Sequence, residues 1–310
     1  MIFTVTLNPA MDKTVVIERF APDAVNRVQQ MRTDPGGKGV NVSKVIARLG
    51  GESVALALAA GRTGEAIGDA LREMGIGTDF LYGPGETRTN LKIVDPVLRQ
   101  NTDINEPGPQ TAPEAAQALL DRLLHRLAPG DIVVLAGSLP RGLPADTYAV
   151  WTRACRAAGA RVFLDADGEA LALGTAAGPE LIKPNGDELA RLTGRDLRTH
   201  AEIAQAARAL IVRGVERVVV SLGAEGALFV DAASVTCGPG IPVPVGSTVG
   251  AGDSVVAALA LAAARGMTQE ETMRLAMAAG AANVMCSGTQ PASREDVEAL
   301  LPRVTLVKEE

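Results

Sequence analysis

The chain reads as an α/β protein with a mainly parallel sheet covered by helices, and two features of its 310 residues predict this. Short runs rich in β-branched or apolar residues alternate with longer helical patterns for most of the length. Strands joined through helices run parallel, and a parallel sheet needs helices on both faces. The last third is mostly helical.

Taken in order, Ile2 to Leu7 reads as the first strand. The first helical pattern is Val40 to Leu49, with Gly50-Gly51 as its stop. Val54 to Ala59 is a strand and Glu65 to Met74 a helix. Helix Pro113 to Leu127, strand Ile132 to Leu135, helix Ala145 to Ala158 and strand Val162 to Asp165 continue the rhythm. Strand Leu181 to Lys183, helix Ala201 to Arg213 and strand Val218 to Ser221 follow. Gly250 to Gly266, Thr268 to Cys286 and Ser293 to Leu300 are helical. Two segments break the pattern. Lys13 to Met31 and Arg88 to Asn105 alternate like strands, have no helix between their strands, and lack apolar surface for a core of their own. They are expected to pair as a small antiparallel sheet, a lid built from about 12–32 and 88–106 over the strand ends of a single 1–310 domain. A flat sheet with one apolar face is also a dimerisation surface; ordinary surface hairpins are the plain alternative.

Composition narrows the function. Hydrophobic residues are 47% and charged ones 21%, normal for a globular chain. With net charge −6 and 3% aromatics, the chain offers nucleic acid neither a basic field nor stacking platforms. A small anionic substrate held by local cations fits better. Cys155, Cys237 and Cys286 are odd in number and lack metal-ligand spacing, which suits reduced thiols in a cytoplasm. Met1 to Leu7 lacks signal-peptide character, and runs such as Val255 to Ala264 are too short to span a bilayer. His125 and His200 sit in amphipathic helices with no nucleophile signature nearby, so both read as surface or helix-end residues.

The chemistry gathers in glycine-rich turns. Ser247-Thr248-Val249-Gly250-Ala251-Gly252-Asp253 leads into an apolar helix. The first N–H groups of a helix are unpaired and carry partial positive charge, and glycines let an anion approach them. An acid beside a phosphate is repelled unless it has a task, and Asp253 fits that of accepting the proton of an attacking hydroxyl. The bland alternative is an Asp used for capping. Asp34-Pro35-Gly36-Gly37-Lys38-Gly39-Val40-Asn41 offers donors from Lys38 and Asn41 to a polyhydroxylated ligand. It is no Walker A loop, since Arg32 and Gly39 stand where glycine and Ser/Thr are needed, and Val42 breaks the dinucleotide fingerprint. Lys183-Pro184-Asn185-Gly186-Asp187-Glu188 opens a helix. Asn185 and Glu188, one turn apart, suit Mg²⁺ held largely through water, or simply cap the helix together. Ser221-Leu222-Gly223-Ala224-Glu225-Gly226 turns tightly after a buried strand, where a nucleotide's ribose and phosphates or a plain hairpin both fit.

Together these motifs resemble the ribokinase-like (PfkB) carbohydrate kinases, essentially end to end. Gly36 to Asn41 is similar to that family's first signature and Thr248 to Asp253 to its second. Within it, Thr6 to Asp12, Ala136 to Pro140 and Ser221 to Ala227 most resemble the bacterial 1-phosphofructokinase subgroup. The resemblance implies a three-layer αβα sandwich with a small β-sheet lid, ATP and Mg²⁺ as cofactors, and a homodimer through the lid. It implies phosphorylation of fructose 1-phosphate at its 6-hydroxyl, with Asp253 as base and the N–H groups of Gly250, Ala251 and Gly252 around the moving phosphoryl group. Asp12, Gly36, Gly37, Asn41 and Ser138 would hold the sugar, and Arg27, Arg88 and Lys38 its phosphate. Lys183, Asn185, Glu188, Ser221, Gly223 and Gly226 would serve nucleotide and magnesium. Tagatose-6-phosphate kinase is the neighbouring reading, and a catalytically silent sugar-phosphate sensor is the reading from another class.

Overall fold

The computed structural model describes residues 1–286, 288 and 290–309. The chain opens with β1 (Ile2–Thr6), the hairpin β2 (Ala10–Val16) and β3 (Gln30–Gly36), and helix α1 (Lys38–Arg48). β4 (Val54–Ala60), α2 (Gly61–Glu73) and β5 (Gly77–Gly83) lead to a second hairpin, β6 (Arg88–Asp95) and β7 (Gln100–Asn105). Then come α3 (Pro113–Arg126), β8 (Ile132–Ala136), α4 (Thr147–Ala157), β9 (Arg161–Asp165), α5 (Gly168–Ala176) and β10 (Leu181–Ile182). α6 (Gly186–Thr193), α7 (His200–Val212), β11 (Arg217–Ser221), β12 (Gly226–Asp231) and β13 (Val235–Pro239) follow. α8 (Ala251–Ala264), α9 (Gln269–Val284), α10 (Arg294–Leu300) and β14 (Val307–Glu309) complete the chain.

The main sheet has ten strands in the order β14-β13-β12-β11-β10-β9-β8-β1-β4-β5. The pairings from β11 through β5 are parallel, and those joining β11, β12, β13 and β14 are antiparallel. Strand side chains alternate between faces, so neighbouring residues of β8 belong to different cores. Val133 and Leu135 pack with Leu119, Leu123, Tyr148 and Trp151. Ile132 and Val134 pack with Val42 and Ile46 of α1, Val256 and Leu259 of α8, and Met273 and Met277 of α9. Both faces are therefore covered, as the sequence predicts for a three-layer αβα sandwich. The predicted strands and helices all form, with ends shifted by a few residues.

The sequence misses β5, the three antiparallel strands at the far edge, and α5. β5 is a half-exposed edge strand interrupted by Asp79 and so lacks a continuous apolar run. Helix α5 is rich in Ala, Leu and Gly, with no polar stripe to mark a period.

The small second sheet has the order β3-β2-β6-β7. Its two hairpins are antiparallel, but the central pair, β2 with β6, is parallel, which corrects the all-antiparallel expectation. The cause is topological. β2 leaves the carboxyl end of β1 and β6 leaves that of β5, so both run outward from the same edge of the main sheet. Val15, Ile17 and Ile93 form its only small core among the described residues, while Met31 and Ile104 remain 61% and 51% exposed. Among the described residues no helix is long and apolar enough to cross a membrane.

Candidate active site

Helix α8 supplies the centre of the site. Its N-cap, Gly250, has φ +83°, a left-handed conformation that side-chain-bearing residues rarely adopt. The turn aims the unpaired first N–H groups of α8 outward. Gly250 and Gly252 line the cleft, but Ala251 does not, and its N–H makes a long 3.5 Å bond to the Thr248 carbonyl. On α9, the Asn283 amide donates to the Val249 carbonyl at 3.0 Å and steadies the turn.

Asp253 lies in the first turn of α8, is 7% exposed, and faces the cleft. It does not cap the helix. Instead its carboxylate accepts from Asn41 Nδ2 of α1 at 2.8 Å. Burial pushes its pKa above the ordinary carboxylate range, the nearby Asp165 adds to this, and Lys38, Asn41 and Lys183 oppose it. A carboxylate with raised proton affinity and one fixed hydrogen bond is suited to act as a general base.

Beneath it, Asp165 ends β9, buried, with Lys38 Nζ at 2.9 Å and Lys183 Nζ at 3.6 Å. Burial alone would raise the Asp165 pKa, yet the two ammonium groups hold it below the usual value. Burial would likewise lower Lys38, but Asp165 and then Asp253 carry it above the ordinary lysine range. Lys183 also sits against the helix start: a Cβ on Gly252 would stand 3.1 Å from its Nζ. The two ammonium groups give an incoming phosphate cationic partners on the floor of the cleft, beside the Asp165 and Asp253 carboxylates.

The opposite wall belongs to the small sheet. Asp12 of β2 accepts from Asn90 of β6 at 3.0 Å, and burial raises its pKa. Gly36 lies directly behind it, for a Cβ there would fall 2.1 Å from an Asp12 carboxylate oxygen. The Arg88 guanidinium donates to the Asn8 and Glu106 carbonyls at 3.1 Å each. Asn8 in turn donates to Ser138 Oγ at 3.2 Å. Asn8 Oδ1, Arg88 Nε and Asn90 Oδ1 are buried without a protein partner, and all three residues line the same cleft of about 640 Å³. Such orphans call for a ligand rich in hydroxyl or phosphate groups.

Asp12, Gly37, Lys38, Asn41, Arg88, Ser138, Lys183, Gly250, Gly252 and Asp253 thus converge as the sequence expected. Others stand apart. Arg27 lies exposed in the turn between β2 and β3, away from the cleft lining. Asn185 and Glu188 form a capping box on α6, each side chain accepting from the other's backbone N–H at 2.8 Å, so the capping alternative is what the protein uses here. A bridge pairs Asn185 with Ser221, and Gly223 (φ +61°) and Gly226 (φ +104°) bound the next turn, placing these residues in one group beside Lys183. Sequence reasoning missed Asn8, Asn90, Asp165 and Asn283. Only Asp165 carried a signal, an acid ending an apolar strand.

The description pfkB family carbohydrate kinase matches residues 5–296. A 1-phosphofructokinase of Xanthomonas campestris is 45% identical over 283 residues, covering 89% of this chain and 88% of the relative. A 1-phosphofructokinase of Bacillus subtilis is 39% identical, covering 99% of this chain and 100% of the relative. Among solved structures, phosphofructokinase-2 from Escherichia coli in complex with substrates and products superimposes with a TM-score of 0.93 at 33% identity, covering 97% of this chain and 98% of that one.

Proposed function

Because the chain belongs to the pfkB family of carbohydrate kinases, we propose that it transfers the γ-phosphoryl group of ATP to the 6-hydroxyl of fructose 1-phosphate, giving fructose 1,6-bisphosphate and ADP. The observation that carries the reading is the buried Asp253 carboxylate, hydrogen-bonded to Asn41 at the mouth of α8. Asp253 takes the proton of the sugar hydroxyl as its oxygen attacks the γ-phosphorus and ADP departs. The N–H groups of Gly250 and Gly252, with the Lys38 and Lys183 ammonium groups nearby, steady the negative charge on the transferred group. Asp12, Asn8, Asn41, Asn90 and Ser138 orient the sugar, and Arg88 receives its existing phosphate.

The nucleotide occupies the group formed by Lys183, Asn185, Glu188, Ser221, Gly223 and Gly226. Asn185 offers an amide oxygen and Glu188 a carboxylate, and the half-buried Glu188 carboxylate keeps lone pairs beyond the one it gives the cap. That donor set fits Mg²⁺ held largely through water. The ion would neutralise nucleotide phosphate charge.

The small sheet acts as a lid on a single domain, closing over the sugar and excluding water. Its exposed Val25, Val28, Met31 and Ile104 support a homodimer formed lid to lid. Arg27 stands outside the cleft of one protomer, so it reaches substrate phosphate only by lid closure or from a second copy. The free, buried thiols Cys155 and Cys237 fit a cytoplasmic enzyme.

The test is ATP turnover measured side by side with fructose 1-phosphate, fructose 6-phosphate, tagatose 6-phosphate and free fructose. The highest kcat/KM is expected with fructose 1-phosphate. Preference for a 6-phosphate would move the existing phosphate to the other end of the site, and equal turnover of free fructose would remove the role given to Arg88.

A further inference from the structure

His200, Cys237 and Glu309 come from distant parts of the sequence and meet at the edge of the main sheet. His200 opens α7, Cys237 lies on β13 and Glu309 ends β14. Their potential ligand atoms all lie within 4.8 Å of one another, with His200 Nδ1 2.8 Å from a Glu309 oxygen. In tetrahedral coordination with bonds of about 2.0–2.3 Å, donor atoms stand about 3.3–3.8 Å apart. Small side-chain adjustments therefore separate the observed cluster from a coordination shell. None of the three lines the cleft.

β14 needs an anchor of this kind. It has three residues, pairs among the described residues only with β13, and leaves Val307 51% exposed. A ladder so short holds weakly by itself. The cluster joins that strand both to β13 and to α7.

We propose that His200, Cys237 and Glu309 bind one divalent cation of the zinc class, which fastens the C-terminal strand to the sheet edge and to α7. A thiolate, an imidazole and a carboxylate together suit zinc, whereas Mg²⁺ prefers oxygen ligands and keeps several waters. On binding, the Cys237 S–H bond breaks, its proton passes to water, and the sulfur lone pair forms the bond to the metal. The imidazole contributes a nitrogen lone pair and Glu309 a carboxylate oxygen. A water completes the shell from the solvent side, since the His200 and Glu309 side chains keep 37% and 24% exposure.

The experiment uses the full chain, stripped with a chelator and free of nucleotide and sugar, titrated with Zn²⁺ in competition with a chromophoric chelator while thermal unfolding is followed in parallel. One equivalent is expected to bind and to raise the unfolding midpoint, and Mg²⁺ is expected to do neither. Cys237→Ala and His200→Ala should each lower zinc affinity by more than the about 10–100-fold that loss of an outer-shell partner costs. Cys286→Ser, which removes the half-exposed thiol elsewhere, should leave one equivalent bound. In that Cys286→Ser background, Co²⁺ should give a sulfur-to-metal charge-transfer absorption, a readout that holds even if Cys237→Ala does not fold. Unchanged zinc affinity in both ligand variants, or bound cobalt without the sulfur signature, would overturn the assignment.

Discussion

Gly36→Ala tests the sugar wall without touching a group that reacts. The added Cβ would stand 2.1 Å from one Asp12 carboxylate oxygen and 2.5 Å from its carboxyl carbon. Ordinary contact begins near 3.4 Å, so the carboxylate must retreat by roughly 1 Å, about a third of a hydrogen-bond length. That movement breaks its 3.0 Å bond to Asn90 and takes it out of reach of a sugar hydroxyl. A hydrogen bond to a charged group contributes about 1.5–3 kcal/mol, so kcat/KM for the sugar phosphate should fall about 10- to 150-fold. KM for ATP should stay within about twofold, because the proposed nucleotide group lies elsewhere (a change below about 0.5 kcal/mol). Steady-state kinetics varying each substrate supplies both numbers. The same substitution in an Asp12→Ala background should cost far less, because the displaced group is already gone. Additive losses in that cycle, or a Gly36→Ala enzyme with unchanged sugar KM, would refute the reasoning.

Three further outcomes follow from the same geometry. Burial raises the Asp253 pKa, so the acid limb of the kcat/KM profile should lie above the ordinary carboxylate value of about 3.9. Lys38→Met removes a charge that lowers it, and the limb should move to higher pH, whatever the loss in rate; an unmoved limb would show that another group sets it. Glu180 receives a bidentate Arg161 at 2.7 Å and also contacts Arg217. Burial would raise its pKa, but the two arginines hold it low, so its stabilising contribution is full above the unfolded value of about 4.3 and is lost as pH falls through the depressed folded value. Both arginines are about one-third exposed, so Glu180→Gln should cost about 1–2 kcal/mol at neutral pH, read by denaturant unfolding, and should flatten the loss of stability on acidification. Gly226→Ala places a Cβ 2.0 Å from the Gly238 carbonyl at φ +104° and should lower the thermal midpoint and weaken ATP binding; wild-type values in both would remove Gly226 from the nucleotide group.

Most of the parallel sheet was legible because strands such as Val133 to Leu135 and Val218 to Val220 are continuous apolar runs between helical patterns. The far edge was not. β12 and β13 are joined by a short turn, and β14 returns to the edge only after α8, α9 and α10 and has three residues, too few to show a period. The parallel pairing of β2 with β6 depends on which edge of the main sheet each leaves, information that no local pattern carries. In the site, glycines and the helix-mouth acid advertise themselves locally, and Gly250, Gly252 and Asp253 were readable for that reason. Asp165 gains its meaning only from Lys38 and Lys183, 127 residues before it and 18 after, and Asn8 and Asn90 gain theirs from orphaned atoms that face one cleft. The cluster of His200, Cys237 and Glu309 was invisible to ligand spacing because the fold, not the sequence interval, brings it together.

The central claim is that Asp253 removes the proton of the sugar hydroxyl. Single-turnover phosphoryl transfer by Asp253→Asn, with both substrates saturating, tests it most directly. The amide keeps the size of the side chain but cannot accept that proton, so the rate should fall by about 10²–10⁴-fold while dissociation constants for ATP and fructose 1-phosphate stay close to wild type. Near-native transfer in that variant, or a loss explained wholly by weakened binding, would contradict it.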